Sequence, residues 1–186
     1  MALVSVISAG PRKLWMGLLV LLSVLFSLGF SCAVPLAAFA AIGALTLSRR
    51  DAFVLIGAVW LANQIIGFAF LHYPLEPVTF AWGGALGAVA VLATFAAQSV
   101  NGRRPQQTRI VAASAAFLAA FAAYEGALFA LSAAAGSGLS SFAPAIAGRI
   151  FLINAAAFAA LIVAYRLGSV VSFAVESRLS ARERRA

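Results

Sequence analysis

The chain has 186 residues, 64% of them hydrophobic and 10% charged, with a formal net charge of +8. A mean hydropathy of +1.04 means more apolar surface than a water-soluble domain of this length can hide, which excludes a soluble enzyme and points to an all-α integral membrane protein. The 13 basic residues fall in small groups between apolar runs, so they read as topology signals and not as a nucleic-acid patch.

In chain order the apolar runs are Leu14 to Phe30, Ala33 to Leu47, Ala52 to Leu71, Val78 to Ala97, Ile110 to Ala135 and Phe142 to Ala164. A helix of roughly 20 residues spans the ~30 Å hydrocarbon core, and the last four runs reach that length. The first two are marginal and could form one long run broken at "SCAVP". Charge parity separates the alternatives: Arg12 and Lys13 precede the pair of runs, and Arg49 and Arg50 follow it. Two crossings, turning at Ser31 to Pro35, place both basic pairs on one side. Six transmembrane helices then leave only Arg149 outside. Inside lie Arg12, Lys13, Arg49, Arg50, Arg103, Arg104, Arg109, Arg166, Arg178, Arg182, Arg184 and Arg185, as the positive-inside rule prefers.

The expected organisation is a cytoplasmic N-terminus (1–13), a six-helix transmembrane domain (14–167) and a basic cytoplasmic tail (168–186), both ends inside a bacterial cytoplasmic membrane. The six prolines fall at or near proposed helix ends. The first run also resembles a signal peptide, and "GFSC" a lipoprotein cleavage site. Gly29 stands where that site wants an apolar branched residue, so the run is read as a span. Cys32 is the only cysteine, so no internal disulfide can form. The tail from Gly168 reads as an extension of the sixth helix with a basic anchor. An amphipathic segment on the anionic inner surface is the alternative.

Polar residues within the spans can be placed by depth at 1.5 Å per helical residue. Asn63 lies about 20 Å above Arg50, Glu125 about 24 Å above Arg109, Arg149 about 25 Å and Asn154 about 18 Å above Arg166, and Trp82 about 30 Å above Arg103. The costly groups therefore gather in the outer half, leaving an inner half expected to be almost purely apolar. Ionisable groups inside spans pair with one another or face a wet cavity. Glu125 and Arg149 are thus expected to approach each other or a shared ligand; a structural ion pair joining the fifth and sixth helices is the plain alternative. Asn63 and Gln64 stand 100° apart, as do Tyr124 and Glu125. Arg149 and Asn154 lie about 140° apart, so at most one of them points squarely at any partner. Asn63 shares a face with Trp60 and Gly67, which suits a ligand surface and close helix packing equally.

The outer loop "LHYPLEP" adds His72, Tyr73 and Glu76, and Cys32 lies in the first outer turn. Cys32 and His72 are candidate ligands for a soft metal or a cobalt centre. No CxxC or HxxxH spacing accompanies them, and a lone histidine near a helix end is more often an interfacial residue. Catalysis is not expected, since GxSxG, HExxH, Walker and paired-acid motifs are lacking. "GGALG" sets Gly83 and Gly87 at GxxxG spacing, and Ala33, Ala37 and Ala41 form a small-residue ladder; both permit close helix contacts.

Six short helices with both ends inside, the Ala33 to Ala41 ladder and a polar outer half resemble the substrate-binding S components of energy-coupling factor vitamin and metal transporters, including small solitary cobalamin-binding members. "NQIIGF" and "HYP" are also similar to small bacterial membrane proteins linked with cobalt or cobalamin supply. The resemblance implies an outward-facing substrate site and a small-residue surface for a membrane coupling subunit driven by separate ATPases. It also implies a cysteine toward cobalt, although Cys32 does not align with that ligand. No cofactor is expected to be held permanently; cobalamin or cobalt would be the solute.

The leading expectation is therefore a binding or translocating subunit for uptake of a small solute. Asn63, Gln64, His72, Trp82, Tyr124, Glu125, Arg149 and Asn154 would form or border its site. A scaffold subunit of a larger membrane complex is the alternative, with the polar residues as helix glue. A membrane enzyme acting on a lipid or an isoprenoid is a third reading, weakened by the lack of a second acid at membrane level.

Overall fold

A computed structural model describes residues 9–30, 34–101 and 108–183. Cys32, Ala33, Arg103, Arg104, Pro105, Arg184 and Arg185 lie outside the described residues. The described chain forms α1 (Ala9–Phe30), α2 (Leu36–Thr46), α3 (Arg49–Ala69), α4 (Pro77–Asn101), α5 (Arg109–Ala134), a 3-10 turn (Leu139–Phe142) and α6 (Pro144–Glu183). The starts follow local chemistry. Pro77 and Pro144 open α4 and α6, where a missing N–H costs nothing. Ser48 and Thr108 cap α3 and α5 by accepting from the backbone N–H of Asp51 and Val111.

Five of these helices are long and apolar enough to cross a membrane. Their outward faces carry exposed Leu61, Ile65, Phe95, Leu118, Phe129 and Leu152, which suits contact with lipid. The second apolar run differs from expectation. Pro35 delays its start, and the Ser48 cap of the next helix cuts its end, leaving 11 residues. That is about 16 Å of helix, half of what the hydrocarbon core requires.

This short helix sits at the centre of the bundle. Every residue from Leu36 to Thr46 is buried, packed among α3, α4, α5 and α6, with Phe26 and Trp15 of α1 closing the remaining side. It is apolar all round, as an enclosed helix must be. Its alanines and Gly43 let the long helices approach: a Cβ on Gly43 would stand 3.3 Å from Leu55 Cδ2 of α3. The ladder that was expected to meet a coupling subunit is thus used internally, since Ala37 and Ala41 are fully buried.

One end of the bundle is tied by polar contacts. Trp15 Nε1 donates to Thr46 Oγ1 (3.1 Å) and Arg12 pairs with Asp51 (3.4 Å). These contacts put the start of α1, the end of α2 and the start of α3 together, so the basic pairs 12–13 and 49–50 share that end. Asn101 Nδ2 donates to the Ala44 carbonyl (2.9 Å) and Gln98 Nε2 to the Arg49 carbonyl (3.2 Å). Trp15 packs on Tyr165, and Arg49 lies over the Phe95 ring. The end of the bundle that carries the basic pairs, expected to be almost purely apolar up to its loops, therefore holds a polar layer, in which Asn101 satisfies the Ala44 carbonyl left over at the end of α2. Past Arg166, α6 continues as helix to Glu183, so the tail is a backbone extension of the sixth helix.

Candidate functional site

Because α2 is half-length, the bundle has a central helix over only part of its height. The paired positions Trp15 with Thr46 and Phe26 with Phe39 show α2 running antiparallel to α1, and the bond of Ala38 to Asn154, ten residues into α6, sets its first turn well below the start of that helix. Outward of that turn lie Asn63 and Gln64 on α3, Trp82 on α4, and Tyr124 and Glu125 on α5, all only partly buried. Around α2 itself the lining residues Leu55, Val59, Ala90, Ala93, Ala116, Ala120 and Leu161 are at most 1% exposed.

Asn154 has a structural task. It is 3% exposed, and its Oδ1 accepts from the N–H of Ala38 (3.3 Å) while its Nδ2 donates to Ile150 O (3.0 Å). Pro35 occupies the cap position of α2 and offers no side-chain acceptor, so α6 supplies one from outside the helix. Asn154→Leu keeps the volume and removes the acceptor. It is expected to cost about 1–2 kcal/mol, read as a lower melting temperature in detergent. An unchanged value would show that the Pro35 carbonyl, which also accepts from Ala38 N, suffices.

Gln64 and its neighbour one turn earlier, Trp60, face α4. Trp60 Nε1 donates to the Gly83 carbonyl (2.8 Å) and its ring covers Gly87; the Gln64 amide covers Gly83. The GxxxG pair thus receives two large side chains from α3 within the same chain. Gly67 is covered in the same way by the Tyr73 ring, which with Phe80 flanks Phe68. His72 is exposed in the turn after α3, with a left-handed φ of 55°, a conformation uncommon outside glycine. Among the described residues no group of three His, Cys, Asp or Glu side chains could hold a metal ion.

Glu125 and Arg149 do not pair: no ion pair joins them, in contrast to Arg12 with Asp51. The reason is rotational. Phe158 of α6 stacks on Phe117 of α5 at 5.0 Å. Arg149, nine residues earlier, lies about half a turn round from Phe158, on an exposed face. Of the two residues about 140° apart, Asn154 is the one that turns inward. Tyr124 packs against the core. Glu125 Oε1 is buried with no hydrogen-bond partner among the described residues. Asn63 is partly buried beside them in height.

Sequence reasoning missed the capping role of Asn154 and the Trp60 contact. Pro35 opening a short apolar run was the available sign of the first, and Gly83 with Gly87 of the second. Compared with known proteins, the chain matches no family, no curated protein and no solved structure.

Proposed function

We propose that the protein is a non-catalytic, multi-pass subunit of a bacterial cytoplasmic membrane that binds a small solute from the outer side and passes it inward. The observation supporting this reading is the half-length central helix. Where α2 stops, the polar side chains Asn63, Tyr124 and Glu125 are grouped in height and only partly buried, and the opposite end is sealed by the fully buried α2 and its polar layer. Broken helices that end in mid-membrane are how many transporters build substrate sites. Movement of α2 or of the helices around it would open the inner end.

The small-residue surfaces expected to meet a coupling subunit are occupied within the chain, so a coupling partner with its ATPases would engage the outer faces of the long helices. The resemblance to S components adds cobalamin and cobalt to the solutes worth testing. Thermal unfolding of the purified full chain against cyanocobalamin, cobinamide, Co²⁺, Ni²⁺ and a vitamin panel tests the reading, with Asn63→Ala and Tyr124→Phe beside the parent. A ligand at about 100 times its Kd stabilises by about 2.7 kcal/mol. The expected result is a shift with the parent that both variants diminish. A folded parent that responds to nothing, in this panel or to the charged and neutral solutes named below, would overturn the reading.

A further inference from the structure

We infer that the solute presents an organic ammonium group to Glu125; this rests on the outward-facing site proposed above and names its substrate class. The carboxylate oxygen Oε1 of Glu125 is removed from solvent and has no hydrogen-bond partner among the described residues. A carboxylate in that position is an acceptor without a donor, a costly arrangement unless it is protonated or a charged donor arrives. No basic side chain pairs with it among the described residues: Arg149 is exposed on α6, and His72 is exposed in the turn between α3 and α4. The remaining basic side chains of the described spans, such as Arg12, Arg49 and Arg166, belong to the opposite end.

The surroundings suit a cation. Four residues before Glu125, Phe121 meets Phe151 of α6 edge-on at 5.0 Å, and Phe117 lies 5.7 Å from the same ring. Tyr124 is the adjacent residue, so aromatic residues lie within about a turn of Glu125 on its inner side, and a carboxylate with aromatic rings is the combination that recognises ammonium ions. The antiparallel pairs Phe117 with Phe158 and Phe121 with Phe151 set Glu125 level with residues 147–150 of α6. Gly148 there and Gly126 beside Glu125 are both exposed, so neither places a side chain at that level. The aromatic seam closes α5 on α6 below Glu125.

The test uses the full chain in phosphatidylglycerol nanodiscs, free of amine lipids. Binding is measured for choline and for its uncharged isostere 3,3-dimethylbutan-1-ol, then for putrescine, agmatine, inositol and nicotinate. Choline or another amine is expected to bind about tenfold or more tighter than neutral or anionic solutes of similar size, and Glu125→Gln is expected to erase that preference while Glu125→Asp keeps part of it. The isostere comparison needs only the parent protein, so it stands if a variant does not fold. Binding of neutral or anionic solutes with no preference for amines would overturn the ammonium assignment and leave the solute-binding reading intact. Absence of binding by every solute would overturn both. Stabilisation only when phosphatidylethanolamine is added, lost in Glu125→Gln, would keep the ammonium recognition, assign it to a lipid headgroup and overturn uptake.

Discussion

Phe39→Ala is expected to lower the unfolding free energy in detergent by about 3 kcal/mol. Phe39 is fully buried on the shortest helix of the bundle and stands edge-on to Phe26 of α1, with ring centroids 6.2 Å apart. In water, truncating a buried phenylalanine loses both transfer free energy and packing, about 3–5 kcal/mol together. In a bilayer the transfer share shrinks, because lipid tails are as apolar as the core, and lost packing supplies most of the effect. The site cannot easily collapse, since its neighbours one turn away along the chain, Pro35, Leu36, Ile42 and Gly43, are already buried and each wall is a helix already in contact. Phe39→Leu, which refills most of the volume, should recover more than half of the loss. If Phe39→Ala unfolds at the same denaturant concentration as the parent, the central helix is not the keystone described here.

Gly87→Leu is expected to be nearly as harmful, by about 2–3 kcal/mol. A Cβ at this position would already lie 2.9 Å from the Trp60 indole, and that ring is held by its bond to the Gly83 carbonyl. A rigid bicyclic side chain cannot fold out of the way as a flexible one can. Leucine must expel Trp60, breaking the hydrogen bond and separating α3 from α4. At Gly83 the obstructing group is the end of Gln64, which can rotate, so Gly83→Ala should cost clearly less than Gly87→Ala. Indole fluorescence together with the unfolding midpoint distinguishes the two: a large midpoint shift without a spectral shift would refute displacement of Trp60.

The five long helices were legible because length and unbroken apolarity suffice to specify a span. Charge parity also anticipated a real feature, the meeting of the two basic pairs at one end, seen in the contact of Arg12 with Asp51. Parity counts crossings of the chain, however, and is blind to how much of a crossing is helical. The run from Ala33 to Leu47 therefore looked like a short span until Pro35 and Ser48 trimmed it. At the site, sequence could say that Arg149 and Asn154 cannot both point inward. It could not say which does, because that depends on where the Phe117 to Phe158 contact sets the core face of α6. An asparagine that caps a distant helix and one that awaits a solute look the same in sequence. Only the partner, 116 positions away in the chain, tells them apart.

The half-length of α2 also fixes an order of events during synthesis. Its first turn leans on Asn154 and its last on Asn101, so the second apolar run leaves the ribosome before either partner exists. With 116 residues between Ala38 and Asn154, translation at 5–20 residues per second imposes a wait of roughly 6–23 s. Throughout that interval a segment too short to cross lipid lacks its Asn154 contact, while α1, α3, α4 and α5 gather round it in turn. The centre of this protein is laid down early and becomes a core last, when α6 closes over it.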